Sequence, residues 1–301
     1  MANSDHTWGT ASGENAQRCH IIAYRFPAGE GFDPATGESW VLEASGTELH
    51  MRLKKEGWYT DLWRSPAGHV YVTDANGFIQ QTKAPGSSEF ATHTVPGMLV
   101  GIWGLDDEHV YAWGTRGKAE FMVRWDGSRW LDMPSPTGGI IAVHGTRPDL
   151  LVAVGDAGLI ARWDGSAWSR MSAPSDETLR AVFVGGDDDL WACGNRGGLI
   201  QGTLDGWTEV LRHNAPLGGV ARWRDEVWVG AYRDAGLCKL NGTYLDSIKG
   251  NLSGVKLDAR HDALLFHSVS LVGHTLDAAA FWGFGVGGAV TLLASDSPRW
   301  A

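Results

Sequence analysis

Cysteine, positive charge and long apolar runs are all scarce in this chain. Its 301 residues hold 3 cysteines. Cys19, Cys193 and Cys238 are odd in number and widely spaced, so they provide neither a disulfide framework nor a metal-ligand pair. They read as reduced, mostly buried thiols. No window reaches the roughly 18 uninterrupted apolar residues of a membrane span, and the longest candidate, Ala278 to Ala294, is broken by glycine. The start, MANSDHTWGT, has neither a basic cluster nor an apolar run, so no secretory signal is read and the cytoplasm is the expected location. With 25 Lys and Arg against 35 Asp and Glu the net charge is −10. No basic cluster is dense enough to track a phosphate backbone, which sets nucleic acid aside as a partner.

Catalytic signatures are also missing. There is no G-x-S-x-G elbow, and the glycine run Gly283 to Gly288 lacks the lysine and following helix of a phosphate loop. His261, His267 and His274 alternate strand faces and match no zinc spacing. The clusters Asp106-Asp107-Glu108 and Asp187-Asp188-Asp189 fall at the same turn of successive units and lack calcium-loop spacing, so they read as solvated turns. No catalytic residue, metal ligand or cofactor is assigned.

Against these absences stand 41 glycines and 16 tryptophans, in a chain 43% apolar and 20% charged. That is a globular composition with many tight turns and aromatic packing positions. The segment GGIIAVHGTRPDLLVAVGDAGLIARWDGSAWSRM from Gly138 aligns with MLVGIWGLDDEHVYAWGTRGKAEFMVRWDGSRWLDM from Met98. Further copies start at Leu179, Gly218, Gly57 and, in hydrophobic rhythm only, Gly254. First strands centred near 62, 102, 143, 182, 221 and 256 give a period of about 35 to 41 residues.

Each unit holds four apolar runs separated by acidic or glycine-rich turns, the pattern of four antiparallel strands. In the unit from Gly138 these are Ile140 to His144, Leu150 to Gly155, Gly158 to Trp163 and Ala167 to Met171. The second run is apolar on both alternating faces and must be covered on both. Blades packed face to face in a ring do this, whereas a sandwich leaves one face polar. A helical solenoid fails because no repeat has a ten-residue stretch of 3.6 periodicity. The expected fold is an all-β, single-domain β-propeller over residues 1–301 with seven four-stranded blades. Six blades is the alternative, and residues 1–18 read as an N-terminal extension. CHIIAYRF and GESWVLEAS fill one further period, and the C-terminal GGAVTLLAS is expected to complete their sheet and close the ring.

Asp126-Gly127 and Asp164-Gly165 tolerate positive φ and are expected to close two-residue hairpins, with Trp125 facing Trp130 and Trp163 facing Trp168. GDAGLIARWDGSAW resembles the Asp-box repeats of sialidase-like propellers over about a third of each unit, but lacks their Ser-x-Asp start. A feature repeated from blade to blade builds the blade, so the structural turn is preferred over a sugar site. The unit as a whole resembles the broad, divergent group that includes WD-repeat proteins, the photosystem II stability/assembly factor and bacterial propellers with WDG-type repeats. This likeness implies fold rather than activity. It also implies that the first strand of each blade lines a central channel, and that second-to-third-strand loops share one rim with the blade-to-blade connections.

Those loops read TDANG, GTRGKAE, GDAGL, GNRGG and YRDAG, projecting Asp74, Arg116, Lys118, Asp156, Arg196, Arg233 and Asp234. Near the ends of first strands sit Trp63, Trp103, His144, Phe183 and Trp223, either as wedges between blades or as anchors at the channel mouth. The candidate partner-binding set is Trp63, Trp103, Arg116, Lys118, Asp156, Arg196, Trp223, Arg233 and Asp234. The expected function is a non-enzymatic scaffold of assembly-factor, adaptor or toxin-immunity type, with one rim turned to a protein partner. The alternative is a carbohydrate-binding or glycoside-hydrolysing propeller with a glycan or small-molecule ligand.

Overall fold

The computed structural model describes residues 4–27, 29, 33, 35–260, 262–285 and 291–292. Seven antiparallel sheets form in chain order, each with strands following one another from the inside outward. The innermost strands are Ser4–Asn15, Tyr59–Arg64, Met98–Asp106, Ile140–Arg147, Leu179–Gly186, Leu217–Trp223 and Lys256–Ala259, and they define blades 1 to 7. Six blades have four strands, and blade 7 carries a fifth, Thr291–Leu292. The chain is a seven-bladed β-propeller. No described helix is long and apolar enough to cross a membrane.

The two-faced strand predicted at Leu150–Gly155 is buried at every residue. Leu150, Val152 and Val154 pack with Val182, Val184 and Leu190 of blade 5, while Leu151 and Ala153 pack with Tyr111 and Trp113 of blade 3. Each fully buried Leu or Val contributes about 1.5–3 kcal/mol, so the apolar run itself holds three consecutive blades together.

The structure corrects the sequence reading in three places. The segment 1–18, read as an extension, is part of the ring from Ser4 on, because Ser4–Asn15 is the innermost strand of blade 1, paired with Arg18–Pro27. Its sequence, SDHTWGTASGEN, carries little β signal because the partner strand crowds it. A Cβ on Gly9 would meet the Tyr24 ring at 2.7 Å, and one on Gly13 would meet Cys19 at 2.4 Å. Nor, among the described residues, is the ring closed by a shared sheet. Thr291–Leu292 pairs with Phe281–Gly285 of blade 7, and the rest of GGAVTLLAS lies outside the described residues. The Asp-Gly turns are also longer than expected: Trp125 pairs with Trp130 and Trp163 with Trp168, leaving four-residue loops.

Closure is instead made by blade 7 docking on blade 1. Trp8, Ala11 and Ile21 share an apolar cluster with Leu265, Val272 and Phe284. Polar bonds cross the same seam. The Trp8 amide donates to the Val269 carbonyl (2.9 Å), the Ala16 amide to His274 Nδ1 (3.3 Å), and the Gly13 amide and Ser12 hydroxyl to Asp258 Oδ2 (3.2 and 2.9 Å). Arg260 then spans three blades, donating to Asp258 (2.9 Å), Ser12 Oγ (3.0 Å) and the Arg64 carbonyl (2.8 Å).

Candidate functional site

Antiparallel order puts the second-to-third-strand loops and the blade-to-blade connections at one end of the disc, here called the connection face. The first-to-second-strand loops and outer hairpins lie at the other, the hairpin face. This separates the candidate set. Arg116 pairs with Ala119 at the connection face, and Lys118, Asp156, Arg196, Arg233 and Asp234 belong to equivalent loops. Trp63 faces Tyr71, Trp103 faces Tyr111 and Trp223 faces Glu226, all near first-to-second-strand hairpins and therefore at the opposite end.

The tryptophans do not project. Trp63 and Trp223 are 7% and 4% exposed, and the Trp63 ring lies where a Cβ on Gly104 of the next blade would sit. Trp103 is half-buried against His144 of blade 4, ring centroids 4.9 Å apart, and His144 lies 5.1 Å from Phe183 of blade 5. The ladder Trp103, His144, Phe183 is a set of wedges. His144 Nδ1 also accepts the Val184 amide (3.0 Å), and burial pushes its pKa down to about 4.

The loop residues differ among themselves. Arg116 is held by Asp132 (2.7 Å), the Pro96 carbonyl (2.6 Å) and the Phe121 ring (4.3 Å). Arg196 pairs with Asp176. Asp156 accepts from Thr178 Oγ1 (3.2 Å). Lys118 and Arg233 are exposed and have no ion pair among the described residues. The Asp234 side chain lies outside the described residues. Asp74 does not project: it is buried, bonded to Lys55 of blade 1 and accepting the Asn76 and Phe78 amides (2.8 and 2.9 Å). Glu177 does the same work in blade 5 for the amides of Arg196 and Gly198 and for Arg212.

The Asp-Gly turns engage one oxygen of each carboxylate within the turn itself. Asp126 Oδ1 accepts Ser128 Oγ, Ser128 N and Arg129 N (2.7–2.9 Å). Asp164 repeats the set with Ser166 and Ala167 (2.8–2.9 Å). These bonds hold both carboxyls down to about 2, for Asp126 led by the Ser128 hydroxyl and for Asp164 by the Ala167 amide. Gly127 and Gly165 sit at φ +91° and +96°, which the turn needs. The acidic turn at 187–189 bridges blades: Arg147 of blade 4 reaches Asp187 and Arg222 of blade 6 reaches Asp189, both at 2.8 Å.

The central channel that the resemblance implies is present, but sequence reasoning assigned none of the polar residues that line it. A cavity of about 300 Å³ is lined by residues of all seven innermost strands, among them Thr10, Ser12, Asp61, Ile141, Arg180, Tyr232, Lys256 and Asp258. Asp61 accepts the Ile102 and Leu62 amides (3.2 and 3.0 Å). Burial pushes its carboxyl up, against the lowering effect of Lys256 and these amides. Burial also works to raise Asp258, but Arg260, Ser12 and the Gly13 amide hold its carboxyl below the ordinary value. On the connection face, Phe78, Met98, Val100 and Ile141 of blades 2 to 4 are 37%, 40%, 36% and 37% exposed. Ile141 lines the cavity itself, Met98 and Val100 lie on an inner strand, and Phe78 opens the third strand of blade 2. Nothing in the repeat marks these positions, since an apolar strand residue looks the same whether it faces a blade or solvent.

No protein-family model matches the chain, and no curated protein matches it in sequence. Solved structures do match in shape. The WD40 propeller domain of Doa1 superposes with a TM-score of 0.65 at 10% identity, covering 98% of this chain and 99% of that one. Sqt1 of Saccharomyces cerevisiae gives 0.63 at 10% identity, covering 99% and 100%. YCF48 bound to a D1 peptide gives 0.55 at 12% identity, covering 79% and 92%. At such identities the likeness establishes the fold alone: a divergent β-propeller, similar in shape to WD40 and YCF48 propellers.

Proposed function

We propose that this propeller is a non-enzymatic interaction scaffold whose connection face receives a protein partner. The observation that carries the reading is the exposed apolar group Phe78, Met98, Val100 and Ile141 on three consecutive blades. It lies on the same face as Lys118, Arg196 and Arg233 of the flanking loops. An apolar centre with a polar, arginine-bearing rim is the usual composition of a protein interface. That YCF48 is described with a bound peptide supports the reading by analogy of fold. The buried Trp63 and Trp223 take no part. The roles of assembly factor, adaptor and toxin-neutralising protein all use such a face. The carbohydrate alternative is weakened, because Asp126 and Asp164 each have one oxygen engaged by their own turns.

The test is crosslinked capture from native lysate with Ile141→Asp and Phe78→Asp, beside the hairpin-face control Asp188→Ala. One protein recovered by wild type and control but lost with both connection-face variants is expected. Equal recovery by all four would place the interface elsewhere.

A further inference from the structure

The channel holds a charge arrangement that partner docking does not explain. Its cavity of about 300 Å³ stands at the lower end of small-molecule pockets. Two cationic side chains line it, Arg180 from blade 5 and Lys256 from blade 7. Both are exposed into it, and neither has an ion pair among the described residues. Arg180 is steadied over the Tyr232 ring, 5.7 Å from its centroid, and Tyr232 lines the same cavity.

The lining anions are already engaged. Asp258 is paired with Arg260 (2.9 Å), and the two oxygens of Asp61 each accept a backbone amide. Two cations and one remaining anion therefore face the cavity, a local excess of positive charge inside a chain of net charge −10. The expected default for exposed cations on an acidic protein is pairing with nearby carboxylates. Their convergence on one concave space without such partners is the signature of an anion site.

We propose that the channel mouth binds a small doubly charged organic anion, a dicarboxylate or a phosphate monoester, bridged between Arg180 and Lys256. Charge-assisted bonds from a guanidinium and an ammonium on different blades select two negative charges over one. Trp103, His144 and Phe183 at the far end of the same cavity give the rest of the ligand an aromatic surface. The inference rests on Arg180 and Lys256 rather than on the apolar patch of the protein-partner reading, and although Ile141 borders both sites, the two are tested by different variants and different ligands.

The experiment titrates the whole chain by calorimetry and thermal shift with succinate and with glycerol phosphate, at ionic strength matched by sodium chloride. Acetate and succinamide serve as singly charged and neutral controls. Saturable binding of at least one dianion is expected, with acetate at least tenfold weaker and succinamide inert. Arg180→Gln and Lys256→Gln should each weaken binding about tenfold or more, while Arg233→Gln, outside the cavity, should leave it unchanged. Both altered residues are exposed, so the unliganded melting temperatures should stay at the wild-type value and separate lost binding from lost fold. If neither dianion binds, or if Arg180→Gln and Lys256→Gln bind like wild type, the proposal is overturned. The succinate and glycerol phosphate arms tell carboxylate from phosphate chemistry.

Discussion

Between blades 4 and 5 the ring is held by Leu150, Val152 and Val154 against Val182, Val184 and Leu190, all buried. Between blades 7 and 1 an apolar cluster shares the work with Asp258, Arg260, Ser12 and buried histidines. The first seam joins blades that follow each other in the chain, so loss of the contact still leaves them tethered. The second has no covalent link. Directional bonds there fix which faces meet, and breaking any of them strands a buried polar group.

The largest effect should come from the apolar seam. Leu150→Ala leaves a cavity between blades 4 and 5 and should cost about 3–5 kcal/mol, read as a lower urea midpoint. Arg260→Ala should come next, at about 3 kcal/mol, near the low end for breaking a buried pair because the Arg260 and Asp258 side chains keep 18% and 23% exposure. Hydrogen exchange would sharpen the comparison. Arg260→Ala should speed exchange in blades 1 and 7 first, and uniform acceleration around the ring would show that the closing seam is not a separate weak point.

Acid should act on the same seam. Burial lowers the pKa of His267 to about 3, with help from Lys256, and of His274 to about 4. Each then binds a proton more readily unfolded than folded. Stability is complete above the ordinary histidine pKa and is lost as pH falls from about 6.5 toward 4. Asp258, held below its ordinary value, extends the loss to lower pH. The melting temperature should drop across that window, and His274→Gln should flatten part of the drop. A flat profile would remove the histidines from the account.

The smallest effects belong to the rim. Arg196→Ala and Arg233→Ala should change stability by about 0–1 kcal/mol, since exposed pairs contribute little. A hot spot among them should nevertheless weaken partner capture by about 2 kcal/mol or more. A large loss of stability with Arg233→Ala would show a structural role that its exposed position does not suggest.

The blades were legible in the sequence wherever both faces of a strand needed covering. Leu150 to Val154 and the paired tryptophans around WDGS state the architecture through burial and turn chemistry. Blade 1 was not legible in its first strand. Crowding by Tyr24 and Cys19 requires Gly9 and Gly13, and seam bonding requires Ser12, so a buried inner strand reads like a polar tail. The candidate site was half legible. Loop arginines could be placed on one face from strand order alone. Whether a tryptophan wedges or projects depends on the neighbouring blade, as the fit of Trp63 over Gly104 shows. Arg180 and Lys256, 76 positions apart, come to line one cavity because blades 5 to 7 curve into the closed ring.

That closure has a consequence for synthesis. Among the described residues no sheet mixes strands from the two chain ends, so each blade can complete its own hydrogen bonding as soon as its fourth strand has left the ribosome. The outward face of blade 1, with Trp8 and Leu42, must wait for Leu265 and Phe284. At about 5–20 residues per second, the 223 residues from Leu42 to Leu265 leave that face uncovered for about 11–45 seconds, the interval in which a nascent ring would most need a chaperone.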